Sequence, residues 1–175
     1  MNIKLITILL FAFFEAKADV ITLMRSSNVL NFESSKYFLF LKINMPISSK
    51  NWKINWETSQ LDQLKLDSVK EDKAQMSVHL SRVERKLSLN QYAKKWTKEY
   101  SQFGFDLMKV QNFKVNNSEM LLIDTYHPKL KKQLRQYITI KNDQVLLVGC
   151  QSGPEFFNSA VSSCEDSIKQ MSWLD

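Results

Sequence analysis

The sequence predicts an α+β fold, an antiparallel β-sheet with packed helices, and two observations carry that prediction. Four apolar or alternating segments, Phe105 to Val115, Met120 to Tyr126, Gln133 to Ile140 and Val145 to Cys150, are joined by short polar stretches at Asn116-Asn117, His127-Pro128-Lys129 and Asn142-Asp143. Joins this short imply antiparallel neighbours, because parallel pairing needs a crossover connection. Two segments with apolar residues at helical spacing, one before this meander and one after it, supply layers that cover the sheet.

The chain opens on MNIKLITILLFAFFEAKAD, with Lys4 as a basic start, Leu5 to Phe14 as an apolar core and Ala16-Lys17-Ala18 as a small-x-small cleavage pattern. Residues 1–18 therefore read as a secretory signal peptide, with Asp19 as the first mature residue. The apolar run is shorter than the ~20 residues of a membrane-spanning helix, so no transmembrane anchor is expected. No cysteine follows the cleavage pattern to carry a lipid. A periplasmic or secreted location is the expectation, and residues 19–175 are the size of a single domain.

From Val20 to Phe32 the pattern is moderately apolar and suits a short hairpin or an irregular strand. Tyr37 to Ile43 reads as a strand that stops at Pro46, since proline cannot donate into a ladder. Trp52, Ile54 and Trp56 alternate with polar residues and are expected to line one face of an extended segment. A short strand is expected at Leu64 to Val69. Another follows where Met76, Val78 and Leu80 alternate with Ser77, His79 and Ser81, which places His79 on the polar side.

The first helix is announced by Ser88 and Gln91, the spacing of a capping box. Leu89, Tyr92, Ala93, Trp96, Tyr100 and Phe103 form its apolar stripe, and Gly104 is placed to end it. In the last strand Val145 to Val148 are continuously apolar, as in a strand covered on both faces. Ser152, Pro154 and Glu155 then suggest a second capped helix start. Phe157, Ala160, Val161, Cys164, Ile168 and Met171 recur on one face of that helix, so Cys164 points at the sheet where Cys150 ends.

Two cysteines in an exported chain are read as one structural disulfide, Cys150 to Cys164. Neither His79 nor His127 stands in a metal-ligand motif with them, so no metal is expected. No paired catalytic carboxylates, nucleophile elbow or zinc-protease helix is present, and with 3 glycines in the chain a phosphate-cradling loop is excluded. No catalytic residue and no cofactor are assigned. The residual enzyme reading, a small exported hydrolase, rests on Asp124 near His127 with a serine from elsewhere.

The formal charge is +6, and removing Lys4, Lys17 and Glu15 with the signal peptide leaves +5. A modestly basic exported chain favours anionic partners, with nucleic acid the least expected of them in an envelope compartment. The cations concentrate at one turn, where Lys129, Lys131, Lys132 and Arg135 interleave with His127, Leu130, Leu134 and Tyr137. They can hold an acidic protein face or an anionic surface. They can equally blunt an edge strand against aggregation.

The order of elements resembles the Mog1/PsbP-like α/β/α sandwich family. The resemblance is carried by a strand ending in Pro46 followed by Trp52, then SLNQYAKKW, LLIDTYHP running into KKQLRQYITI, QVLLVGC, and the final FFNSAVSSCEDSIKQMSWL. It spans roughly residues 37–174 and implies a domain used mostly as a binding or accessory module, without a residue set that transfers as functional. The export signal and the two cysteines depart from the cytosolic members. The function expected is that of a non-enzymatic binding or accessory protein contacting another envelope protein or an anionic surface.

Overall fold

The computed structural model describes residues 37–38, 43–59, 63–71, 73–83 and 87–173. The elements are β1 Tyr37–Phe38, β2 Ile43–Asn44, β3 Trp52–Ile54, β4 Gln63–Ser68, β5 Gln75–Arg82, α1 Leu89–Tyr100, β6 Asp106–Val115, β7 Ser118–His127, β8 Lys132–Lys141, β9 Gln144–Ser152, α2 Phe157–Lys169 and β10 Ser172–Trp173. The signal-peptide expectation and the Val20 to Phe32 segment lie outside the described residues.

A 7-stranded sheet runs in the order β3-β4-β5-β9-β8-β7-β6, and every neighbouring pair is antiparallel. The expected meander is β6 to β9. Its first turn is fixed by Asn116 and Asn117, both left-handed at φ 45 and 67, the conformation in which a two-residue turn matches the twist of its strands. Asparagine tolerates that region better than most side chains, which is why the pair serves.

Helices cover both faces. On one side α2 lays Phe157, Val161, Cys164 and Ile168 over Met76, Val78, Leu146, Val148 and Cys150. On the other, α1 packs Tyr92, Ala93 and Tyr100 against Leu121, Ile123, Ile138 and Val145. The apolar run in β9 serves both layers, Leu146 and Val148 facing α2 while Val145 and Leu147 face α1. This is an α/β/α sandwich. The capping box of α1 is present, with Gln91 N–H donating to Ser88 Oγ at 3.2 Å and Ser88 N–H donating to Gln91 Oε1 at 2.9 Å. Gly104 closes the helix after a 3₁₀ turn at φ 80, and a Cβ there would meet His127 Nε2 at 3.1 Å.

Cys150 and Cys164 stand at disulfide distance, with Cα atoms 6.5 Å apart, and so join β9 to the inward face of α2. Four local expectations are corrected. Ser152 remains in β9, paired with Gln133, and α2 starts at Phe157 without a side-chain cap; the ladder prevails over the local capping pattern. In place of one strand from Tyr37 to Ile43, of which residues 39–42 lie outside the described residues, Tyr37–Phe38 and Ile43–Asn44 pair antiparallel to each other, with β10 on the far side of β2. Trp52 is buried, but β3 stops at Ile54 because Asn55 starts a turn, accepting from the Thr58 N–H at 3.2 Å, and Trp56 is left exposed. Phe103 leaves the α1 stripe, because the 3₁₀ turn rotates it outward.

Candidate functional site

The turn between β7 and β8 carries the predicted cations. Lys129 and Lys131 are exposed in it, and Lys132 opens β8 opposite His127. Lys131 takes a left-handed conformation at φ 50. The turn is held from within by His127, whose Nδ1 accepts from the Leu130 N–H at 3.2 Å and whose ring sits edge-on to Phe105 at 4.9 Å. These lysines form no ion pair with a described residue.

Arg135 does not join them. Its guanidinium grips Asp124 with two bonds, Nε to Oδ1 at 2.7 Å and Nη2 to Oδ2 at 2.8 Å, and Nη1 donates to Glu165 Oε1 at 3.1 Å. Tyr137 OH donates to the same Glu165 oxygen at 2.9 Å. The Phe157 ring lies 5.8 Å from the guanidinium carbon. Side-chain exposure is 21% for Arg135 and 13% for Asp124, so the pair is only partly reached by solvent. The bond to Asp124 holds the guanidinium pKa above its ordinary value against the opposing effect of burial. Burial, then the Glu165 carboxylate, raises the Tyr137 phenol. The fourth predicted cation is thus spent on fastening β7, β8 and α2 together, as charge-assisted bidentate pairs do.

A feature absent from the sequence-level site stands beside the lysines. Among the described residues strand β6 is an edge of the sheet, and it is exposed over nearly its whole length. Leu107, Met108 and Val110 on it, Phe103 before it and Leu130 in the β7–β8 turn are between 48% and 64% exposed. An open depression of about 470 Å³ lies at this end of the molecule, lined by residues of the 3₁₀ turn, the start of β6 and the turn residues His127, Pro128 and Lys129. A second, of about 450 Å³, lies between the start of α1 and the far half of β6, against Asn112 and Lys114. Lys109 is opposite Asp124, whose two oxygens are already taken by Arg135. The sequence signal for this edge was available: after Met108 neither the Lys109, Gln111, Phe113 series nor the Val110, Asn112, Lys114 series is uniformly apolar, as a strand packed on a core requires.

The residues of the hydrolase reading are not brought together. Asp124 faces α2, whereas His127 is an odd number of positions along β7 and packs on Phe105 on the α1 side. Among the described residues no group of three or more metal-ligating side chains gathers, and no helix is long and apolar enough to cross a membrane.

Comparison with solved structures decides the fold. The cyanobacterial PsbP of Synechocystis superposes with a TM-score of 0.60 at 8% identity, over 80% of this chain and 91% of its own. This chain has the PsbP-like fold. LpqN, involved in cell envelope biogenesis of Mycobacterium tuberculosis, gives a TM-score of 0.62 at 9% identity over 81% and 85%. A Pseudomonas aeruginosa protein of unknown function gives 0.54 at 13% over 78% and 94%. No family model matches the sequence, and no curated protein does. The similarity to PsbP and LpqN is therefore one of layers and strand order.

Proposed function

We propose that this chain is an exported, non-enzymatic accessory protein of the cell envelope that binds another envelope protein through the end of the sheet where Lys129, Lys131 and Lys132 adjoin exposed apolar side chains. The observation that carries the reading is this juxtaposition. Lysines placed only to keep an edge soluble need no neighbouring exposed Phe103 and Leu130, whereas a contact surface uses both, charge to steer and apolar area to hold. The leader pattern of residues 1–18, the cysteine pair and the fold shared with an envelope-biogenesis protein all agree with export. On this reading the mature protein starts at Asp19, which intact-mass measurement of the exported material checks; retention of residues 1–18 would refute it.

Affinity capture from the native envelope tests the contact surface. Exchanging Lys131 and Lys132 for glutamate should abolish capture of the partner, and capture by the unaltered protein should weaken steeply with salt, because exposed charges are screened beyond about 8 Å at physiological ionic strength. The melting temperature should barely move, since Lys131 is exposed, Lys132 is half-buried without an ion pair to a described residue, and substitutions away from buried partners shift stability by no more than ~0.5 kcal/mol. The same exchange at Lys94 and Lys95, exposed on α1, alters net charge identically and should leave capture intact. Equal loss from both variants would show that general basicity, not this surface, governs binding. Recovery on anionic vesicles with no captured protein would replace the protein partner by a lipid surface.

A further inference from the structure

The two edges of the large sheet differ. One, β3, has 3 residues, and the other, β6, has 10. A long edge presents a row of backbone N–H and C=O groups on which another chain can pair, and proteins usually shorten or cover such edges. Here the β6–β7 turn fixes which groups point outward. Val115 and Ser118 flank a two-residue turn with both central residues left-handed, and in such a hairpin the flanking residues bond to each other. Every second residue back along β6, namely Phe113, Gln111 and Lys109, then also bonds to β7. The backbone groups of Val110, Asn112 and Lys114 are directed away from the sheet.

The side chains define what could lie alongside. On the α2 side of β6 the exposed residues are Lys109 and Gln111, opposite Asp124 and Leu122. On the α1 side Val110 and, across the bulge at Met108, Leu107 are apolar and exposed. Helix α1 packs against β6, β7 and β8, yet Leu107 and Val110 on that side of β6 stay 48% exposed, between the depressions at either end of the helix. An added strand would therefore meet Lys109 on one face and, over the first half of β6, apolar Leu107 and Val110 on the other, where Asn112 and Lys114 continue that face as polar residues.

We propose that β6 receives an extended segment of the partner as an eighth strand, one in which acidic residues alternate with branched apolar residues, acids toward Lys109 and apolar side chains toward Val110 and Leu107. Period-two alternation is what a strand delivers to two such faces, and strand addition obtains affinity from the backbone and selectivity from alternate side chains. Lys129, Lys131 and Lys132 reinforce the preference for acids, and Asp106 is the opposing charge at that end. A second copy of this chain fits the edge less well, because it would bring two lysine-bearing edges together. The inference rests on the partner-binding reading above and adds to it the form of the bound segment.

The probe is a blocked synthetic peptide alternating glutamate with valine and threonine, with a control peptide of equal composition whose glutamates are clustered in one half. The alternating peptide should bind the isotope-labelled protein and slow exchange of the Val110, Asn112 and Lys114 amides by at least about tenfold, and the control should not. Asn112→Pro removes an outward N–H without touching charge and should weaken binding by about tenfold or more. Asn112→Ala keeps that donor and should bind within about twofold of the unaltered protein. If the proline variant fails to fold, amide exchange in the unaltered protein decides alone. No binding of the alternating peptide overturns strand addition. Binding without protection of these amides, still lost on exchanging Lys131 and Lys132, overturns strand addition and leaves the partner surface standing. Protection that grows with protein concentration in the absence of peptide overturns the proposed occupant and makes it a second copy.

Discussion

The β9–α2 junction and the β6 edge belong to one sheet and differ along a single row of side chains. Register places Ile54, Leu66, Met76, Cys150, Arg135, Asp124 and Lys109 side by side across the seven strands, all facing the α2 layer. From Leu66 to Cys150 the row is fully buried; at Arg135 and Asp124 it becomes polar and partly wet; at Lys109 it is exposed. Helix α2 sits on β9, so apolar side chains gain most beneath it and charged ones gain a partner only at its margin. The change along the row teaches that one end of the sheet is built for fixity and the other is left able to make contacts.

The largest effect that can break this comparison is at the fixed end. Replacing Cys150 and Cys164 together with serine removes a crosslink of sequence separation 14, which by chain entropy should cost about 3 kcal/mol. Urea unfolding of the double variant against the unaltered protein measures it. The same loss should follow when the unaltered protein is unfolded under reducing conditions. An unchanged midpoint in both would mean that α2 is held by packing alone, and the contrast between the two regions would lose its main support.

How much of this could be read beforehand varies with the range of the interaction. The Ser88 to Gln91 capping box and the Asn116-Asn117 turn are local devices whose cause lies within a few residues, and the helix stripes and the four meander strands follow from periodicity. The pairing of β5 with β9 joins residues far apart in the chain and leaves no local trace. Ser152 shows the same limit in miniature: its neighbours spell a cap, while Gln133 across the sheet keeps it in a strand. Arg135 reads as a fourth surface cation until register sets Asp124 opposite it and α2 brings Glu165 above. The β6 edge was the reverse case, since its mixed faces were visible in sequence and their meaning emerged only once the strand was seen to have one neighbour among the described residues.

The smallest expected effect sharpens the comparison most. Val148 and Val110 are both strand valines, and Val→Thr keeps the shape while exchanging a methyl for a hydroxyl. At Val148, fully buried between Val78 and Tyr137 in register, the hydroxyl loses water, and the strand's carbonyls are committed to the ladders on either side. That change should cost about 1–3 kcal/mol. At Val110 the hydroxyl stays hydrated beside an unpaired strand edge, and threonine suits a strand as well as valine does, so stability should move by less than ~0.5 kcal/mol. Chemical denaturation of the two single variants in parallel gives the difference directly, free of any error shared by the pair. A loss at Val110 as large as that at Val148 would mean that the β6 apolar residues are part of the core and are not available to a partner. A negligible loss there, beside a clear one at Val148, would mean that Leu107, Met108 and Val110 are held at the surface without serving stability, which is the condition a contact surface has to meet.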